Sequence, residues 1–131
     1  MTMVSFDEKF LQIYYDETVP CVTMQWKDFA TSEEFKIGLN KGLDLLMEQN
    51  TENWLADLRK MDVIDPDDEK WSNEDWFPRA LAGGVKKMAL IPSEDIFNNM
   101  SVESIMNEVA GTGLVVHYFD NVEEAKTWLK S

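Results

Sequence analysis

Apolar and aromatic residues recur along this chain in short runs set between polar turns. Positions from Phe10 to Tyr15 are mostly apolar or aromatic, as are those from Cys21 to Trp26, with Asp16, Glu17, Thr18, Val19 and Pro20 between them. Two such runs joined by a short polar connection predict an antiparallel hairpin. Pro20 has no amide hydrogen to give to a ladder, so it marks the start of the second strand.

After Thr31 the period changes. Phe35, Leu39, Leu43 and Leu46 recur at helical spacing. Thr31 followed by Glu34 predicts a capping box at the helix start, and the pattern stops near Asn50. Gly38 and Gly42, one turn apart, cost that helix stability and point to a close approach to a neighbouring backbone. Trp54 to Leu58, interrupted by Asp57, reads as a buried third strand.

A second helix is expected through Trp76, Phe77 and Leu81, ended by Gly83 and Gly84. Pro78 belongs in a first helical turn, which places the start near Asp75. Lys87 to Ile91 reads as a fourth strand stopped by Pro92. Ser93 to Ala110 is helical in pattern, but Ser101 and Ser104 interrupt its apolar positions and leave open whether it is one helix or two. Leu114 to Phe119 is the fifth strand. Val122, Ala125, Trp128 and Leu129 form the apolar face of a last helix, capped by Asp120 or Asn121.

The predicted order is β-β-α-β-α-β-α-β-α. Strands alternating with helices in this way imply an α/β fold with a mixed, mostly parallel five-stranded sheet, the strands at Trp54, Lys87 and Leu114 running parallel. No internal repeat, low-complexity tract or linker divides the chain, so residues 1–131 read as one domain.

Composition narrows the function. Five tryptophans, seven phenylalanines and three tyrosines supply large pieces for a core. The net charge of −13 repels phosphate backbones, so neither nucleic acid nor an anionic membrane surface is an expected partner. Cys21 has no second cysteine to pair with, and the first eight residues carry neither a basic stretch nor an apolar run of signal-peptide type. The expectation is a soluble, cytoplasmic protein without a membrane span.

Three segments carry a family likeness: WLADLRKMDVIDPDD (Trp54 to Asp68), WFPRALAGGVKKMALI (Trp76 to Ile91) and VVHYFDNVEEAKTWLK (Val115 to Lys130). Through them nearly the whole chain resembles the anti-anti-sigma-factor-like domains, called SpoIIAA-like or STAS-like, and within them a branch of small bacterial proteins described as STAS/SEC14-like. The resemblance implies a sheet with helices mainly on one face and a role in binding rather than catalysis. It also implies a control point in the loop after the third strand, where the family reads Asp-Ser-Ser-Gly and one serine is phosphorylated. Here that stretch is Asp65, Pro66, Asp67 and Asp68. Asp65 keeps the pattern, whereas both serines and the glycine are gone, so a kinase-driven switch is not expected there.

The residues offer little catalytic chemistry. His117 is the only histidine, lies inside a predicted strand, and has no nucleophile signature to work with. Between Asp62 and Asp75 stand seven acids and Lys70. A calcium loop started at Asp65 needs glycine where Lys70 stands and glutamate where Trp76 stands, so a solvated loop with helix-capping acids fits better. The chain's two arginines, Arg59 and Arg79, flank this stretch. Either they pair with its acids, or they line an anion pocket walled by Trp71 and Trp76, with Asp57 orienting Arg59.

The candidate binding residues are therefore Asp57, Arg59, Asp65, Asp67, Trp71, Trp76 and Arg79, with no cofactor or metal expected. The leading expectation is a non-enzymatic module that binds a protein partner through a sheet edge or this loop. A second copy of the chain is one candidate partner, since Tyr14, Tyr15 and Trp26 would be left under-covered by helices on one face. The alternative is a carrier or sensor of a small apolar or anionic ligand, which requires an enclosed cavity of a few hundred Å3.

Overall fold

A computed structural model describes residues 2–131 and shows one mixed sheet of six strands, ordered as they occur in the chain. β1 (Thr2–Glu8), β2 (Leu11–Asp16) and β3 (Cys21–Trp26) form an antiparallel meander. β4 (Asn53–Asp57), β5 (Lys87–Ile91) and β6 (Val115–Tyr118) then add in parallel. The hairpin and the three parallel strands match the sequence reading, but the sheet has six strands where five were expected. The extra one is β1. Its register with β2 shifts between Val4 and Phe6, and such a bulge breaks the alternation by which a strand is recognised. The turn into β2, Lys9-Phe10, also lacks the glycine or asparagine of a tight hairpin.

Helices cover the sheet unequally. α1 (Ser32–Gln49), α2 (Pro66–Trp71), α3 (Phe77–Ala82) and α4 (Ile96–Val109) pack on the face formed by Leu11, Ile13, Val22, Met24, Trp54 and Leu90. α5 (Val122–Lys130) crosses to the other face, where Ala125 and Leu129 meet Cys21, Leu55, Ala89 and Ile91. β4 and β5 are covered on both faces, which is why each reads as a nearly unbroken apolar run. Tyr15 and Trp26, expected to be under-covered, are buried at 8% and 3% exposure. The apolar surface that suggested self-association is absent at those two positions.

The long α1 begins as its sequence predicts. Glu34 N–H donates to the Thr31 hydroxyl at 3.2 Å, and the Glu34 carboxylate accepts from Thr31 N–H at 3.0 Å. Asn50, left-handed at φ 55, ends it. Gly38 and Gly42 face the sheet, and what approaches them is side chain rather than backbone. A Cβ at Gly38 would lie 2.5 Å from Leu11 Cδ2, and one at Gly42 would lie 2.5 Å from Trp54 Cη2 and 2.6 Å from Met24 Sδ.

The acidic stretch departs furthest from expectation, because most of it is helix. Asp65 caps α2 by accepting from Asp67 N–H at 2.8 Å, Pro66 takes the first position, and Asp67, Asp68 and Glu69 fill the first turn. Carboxylates at a helix N-terminus offset the partial positive charge there. A π-helical turn (Ser72–Trp76) then joins α2 to α3, with Phe77 N–H donating to the carbonyl of Ser72. Pro78 lies in the first turn of α3, as expected, but the helical run does not begin there, because the π turn leads directly into it. The wider π turn leaves room for a ring that collides with the preceding carbonyl in a regular helix. α4 is one continuous helix. The Ser101 hydroxyl donates to Phe97 O (3.1 Å) and to Ile64 O (3.3 Å), so it is satisfied without breaking the ladder. Asn121, rather than Asp120, caps α5, accepting from Glu124 N–H at 2.9 Å.

Candidate functional site

In parallel α/β sheets, sites favour the loops leaving the carboxyl ends of strands. Here the loop from Leu58 to Asp65 leaves β4 beside the start of α4. Asp57, the last residue of β4, is 5% exposed. Its Oδ1 accepts from Arg59 Nε at 2.9 Å and from Arg59 N–H at 3.2 Å, and its Oδ2 accepts from Arg59 Nη2 at 2.7 Å. The guanidinium fork is thus closed on one carboxylate, whose hydrogen bond and charge push the arginine pKa still higher.

Asp57 alternates with Ala56 along β4 and shares the side of Leu55, the face covered by α5. Arg79 is on the other side of the sheet. Its Nε donates to Asp75 Oδ1 at 2.9 Å and its Nη2 to Asn40 Oδ1 at 2.8 Å, while the guanidinium stands 6.0 Å from the Trp71 ring. Lys36 lies 5.6 Å from the same ring, which also packs edge-on against Phe35. The structure therefore brings Trp71 and Arg79 together but leaves Arg59 on the opposite face. Each arginine has a carboxylate, and only Arg79 draws on the acidic stretch.

Unequal burial predicts unequal effects. Arg59→Met strands a buried carboxylate and is expected to cost about 1–2 kcal/mol, a buried-pair loss discounted for the half-exposed arginine. Arg79→Met breaks an exposed pair, and its expected change is within about 0.5 kcal/mol. Urea unfolding of the two variants checks the order; equal losses would contradict the burial.

Trp76 does not line a surface pocket. It is 1% exposed, its Nε1–H donates to Leu39 O at 2.9 Å, and its ring meets Trp54 and Phe77 edge-on at 5.0 and 4.9 Å. Asp65 and Asp67 are exposed at the start of α2. Asp68, one residue on, is buried and accepts from the Ser32 hydroxyl at 2.8 Å, which ties α2 to the start of α1.

The loop itself is pinned to α4 and the segment before it. Ser93 Oγ donates to Met61 O (2.9 Å), Asn98 Nδ2 to Asp62 O (2.6 Å) and Ser101 Oγ to Ile64 O (3.3 Å). Three side chains thus hold three successive stretches of loop backbone, and Val63 is left 46% exposed between them. Beyond these anchors the first two turns of α4 turn Ile96, Phe97 and Met100 outward, at 66%, 65% and 61% exposure. Phe29 and Val63 border a neighbouring hollow of about 260 Å3. Periodicity did not separate these residues from core, because an apolar residue at helical spacing reads the same on either side of a helix. Burial alone distinguishes them.

The remaining chemistry is sparse. His117 is exposed and stacks on Trp128 at 4.6 Å. The Cys21 thiol is fully buried, and burial pushes its pKa up to about 11, which leaves it an unreactive core residue. Among the described residues, no three His, Cys, Asp or Glu side chains come together as a metal site, and no helix is long and apolar enough to cross a membrane. The apolar gap inside the core, bordered by Trp54 and Trp76, measures about 60 Å3.

Compared with known families, residues 21–130 match the family model described as SpoIIAA-like, from β3 through α5. The β1–β2 hairpin lies outside the match. No curated protein matches the chain.

Proposed function

Because the chain belongs to the SpoIIAA-like family, we propose that it is a non-enzymatic regulatory module that binds a partner protein with the loop after β4 and the first two turns of α4. The observation that carries this reading is the cluster of Ile96, Phe97 and Met100, each more than 60% exposed, beside a loop held rigid by three side-chain hydrogen bonds. Neighbouring large apolar side chains left in water mark interaction surfaces, and a loop fixed before contact loses little entropy on binding.

Asp65 and Asp67 give the adjoining α2 terminus a standing negative charge. No serine, threonine or tyrosine lies between Met61 and Glu69, so this charge is not set by a kinase. Ser72, the nearest hydroxyl on the C-terminal side, is 1% exposed and spends its proton on Glu69 O at 2.8 Å. The module on this reading is permanently in one binding state. The carrier alternative draws less support, since the gap within the core is only about 60 Å3 and larger hollows, of about 260 and 730 Å3, open to solvent instead of enclosing a ligand.

The test is affinity capture from the source cells, followed by titration of the purified captured protein. Met47, 54% exposed on α1, supplies the control position. Wild type and Met47→Asp are expected to bind alike, whereas Phe97→Asp with Met100→Asp lowers affinity at least about tenfold, equivalent to 1.4 kcal/mol. All three exposed sites tolerate substitution within about 0.5 kcal/mol of stability. Equal affinity in all three proteins would remove this surface from the function.

A further inference from the structure

The sheet ends at β6, and the side of β6 away from β5 has no strand beside it. Val115 N–H donates to Lys86 O and Phe119 N–H to Leu90 O, so the odd-numbered residues of this strand bond inward to β5. By the alternation of a parallel ladder, Val116 and Tyr118 direct their N–H and C=O groups outward. Their side chains fall on the α4 side of the sheet, where they form one wall of an open groove of about 730 Å3. Val102, Met106, Val109 and Leu114 make it apolar.

Its far wall is a polar ridge on α4: Asn99, Glu103 and Asn107, each four residues after the last. Residues at that spacing lie about 6 Å apart along a helix, and same-side residues of a strand lie about 6.6 Å apart. α4 is the crossover between β5 and β6 and runs back beside them. A seventh strand laid along β6 therefore places successive inward side chains opposite Asn99, Glu103 and Asn107 almost in step. Among the described residues Glu103 makes no ion pair, although it stands close enough to Tyr118 for its charge, after burial, to help raise that phenol's pKa.

We infer that the groove between β6 and α4 receives an extended segment of a partner protein as a seventh strand, with a lysine or arginine of that segment on Glu103. Backbone pairing to Val116 and Tyr118 supplies sequence-independent affinity, and the groove reads alternate side chains. Charge selects against the other natural occupant, a second copy of this chain, because each copy carries a net −13. This groove adjoins the Ile96–Met100 cluster at Leu58 and Asn99 but is lined by none of the three exposed apolar side chains, and neither proposal depends on the other.

The probe is a set of capped synthetic peptides in which valine or threonine alternates with lysine or arginine. Two controls accompany it: the same peptides N-methylated at every amide, and versions with glutamate for the basic residues. Binding is followed by amide NMR of the intact protein. The basic peptides are expected to shift the amide signals of Val116 and Tyr118 and slow their exchange with solvent, while the N-methylated set does neither. Glu103→Gln is expected to weaken the basic peptides about fivefold to tenfold, and Met47→Asp, on the exposed side of α1, to leave them unchanged. Acidic peptides binding as well as basic ones would overturn the charge assignment. Protection of Val116 and Tyr118 that rises with protein concentration alone would assign the edge to a second copy instead. Shifts confined to residues outside β6 and α4, or no shifts at all, would overturn the groove.

Discussion

Trp76→Ala is expected to cost the fold about 3–5 kcal/mol, the usual range for deleting a large buried aromatic. The ring is 1% exposed and wedged between Trp54 and Phe77, at the point where the π-helical turn meets α3. Its removal opens a cavity beneath α1 and takes a second donor from the carbonyl of Leu39, which keeps its bond within the helix. For a chain of 131 residues the midpoint of thermal unfolding is expected to fall by roughly 10–20 °C. Trp76→Phe keeps most of the apolar volume and should lose distinctly less. A loss below about 1 kcal/mol for the alanine variant, measured by urea unfolding, would show that the ring is not a core residue.

Gly42→Val is the second large effect. The added Cβ enters space already held by Trp54 and Met24, at separations of 2.5 and 2.6 Å. Trp54 is 2% exposed and Met24 fully buried, so any retreat is inward, and the rigid indole has only the gap of about 60 Å3 beside it to move into. Overpacking costs about 1–3 kcal/mol, and the stiff branched side chain places this site at the upper end. The sign is informative, because an exposed glycine in a helix gains up to about 1 kcal/mol when it acquires a side chain. Met24→Ala vacates part of the contested space, and the double variant should recover some of the loss. Thermal unfolding of the two single variants and the double variant gives the coupling; simple additivity would mean that the two residues do not compete.

Much of the architecture was legible where one physical signal acted alone. The capping box at Thr31 and Glu34 and the double-faced burial of β4 and β5 each follow from a local pattern, and each is present in the structure. The readings failed where two signals competed. In Met3, Val4 and Phe6 the alternation is interrupted by a bulge, so the sequence carries no strand signal there. Between Asp65 and Asp75 acidity suggested a solvated loop, yet the same carboxylates favour a helix N-terminus, and Asp65-Pro66 is itself a start signal. Pro78 correctly marked the first turn of α3, but the five-residue π turn before it, which joins α2 to α3, leaves no mark in apolar spacing.

The site was less legible than the fold, for a related reason. Arg59 and Arg79 flank one segment in sequence, but β4 puts Asp57 and Arg59 on the α5 side while α3 carries Arg79 to the side of α1. Proximity along a chain says nothing about which face of a sheet a residue occupies once a strand intervenes. Ile96, Phe97 and Met100 fall within the stretch from Ser93 to Ala110 that reads as helical, but their orientation to solvent depends on how α4 is rotated by Val102, Ile105 and Val109 packing on the sheet.

The order of the strands bears on how the molecule comes into being. Each strand lies beside the one that precedes it in the chain, so none waits for a partner not yet synthesised. At about 5–20 residues per second, a ribosome takes roughly 7–26 s to make all 131 residues. The β1–β3 meander leaves the exit tunnel before β4 and offers it a finished edge, and β4 and β5 repeat the offer in turn. Such vectorial growth favours local pairings, which form fast, and at every stage leaves two edges unpaired, the constant one of β1 and that of the newest strand. β6 is the last strand added. α5 crosses to the opposite face instead of covering it, and the finished protein keeps at β6 the growing edge of its own assembly.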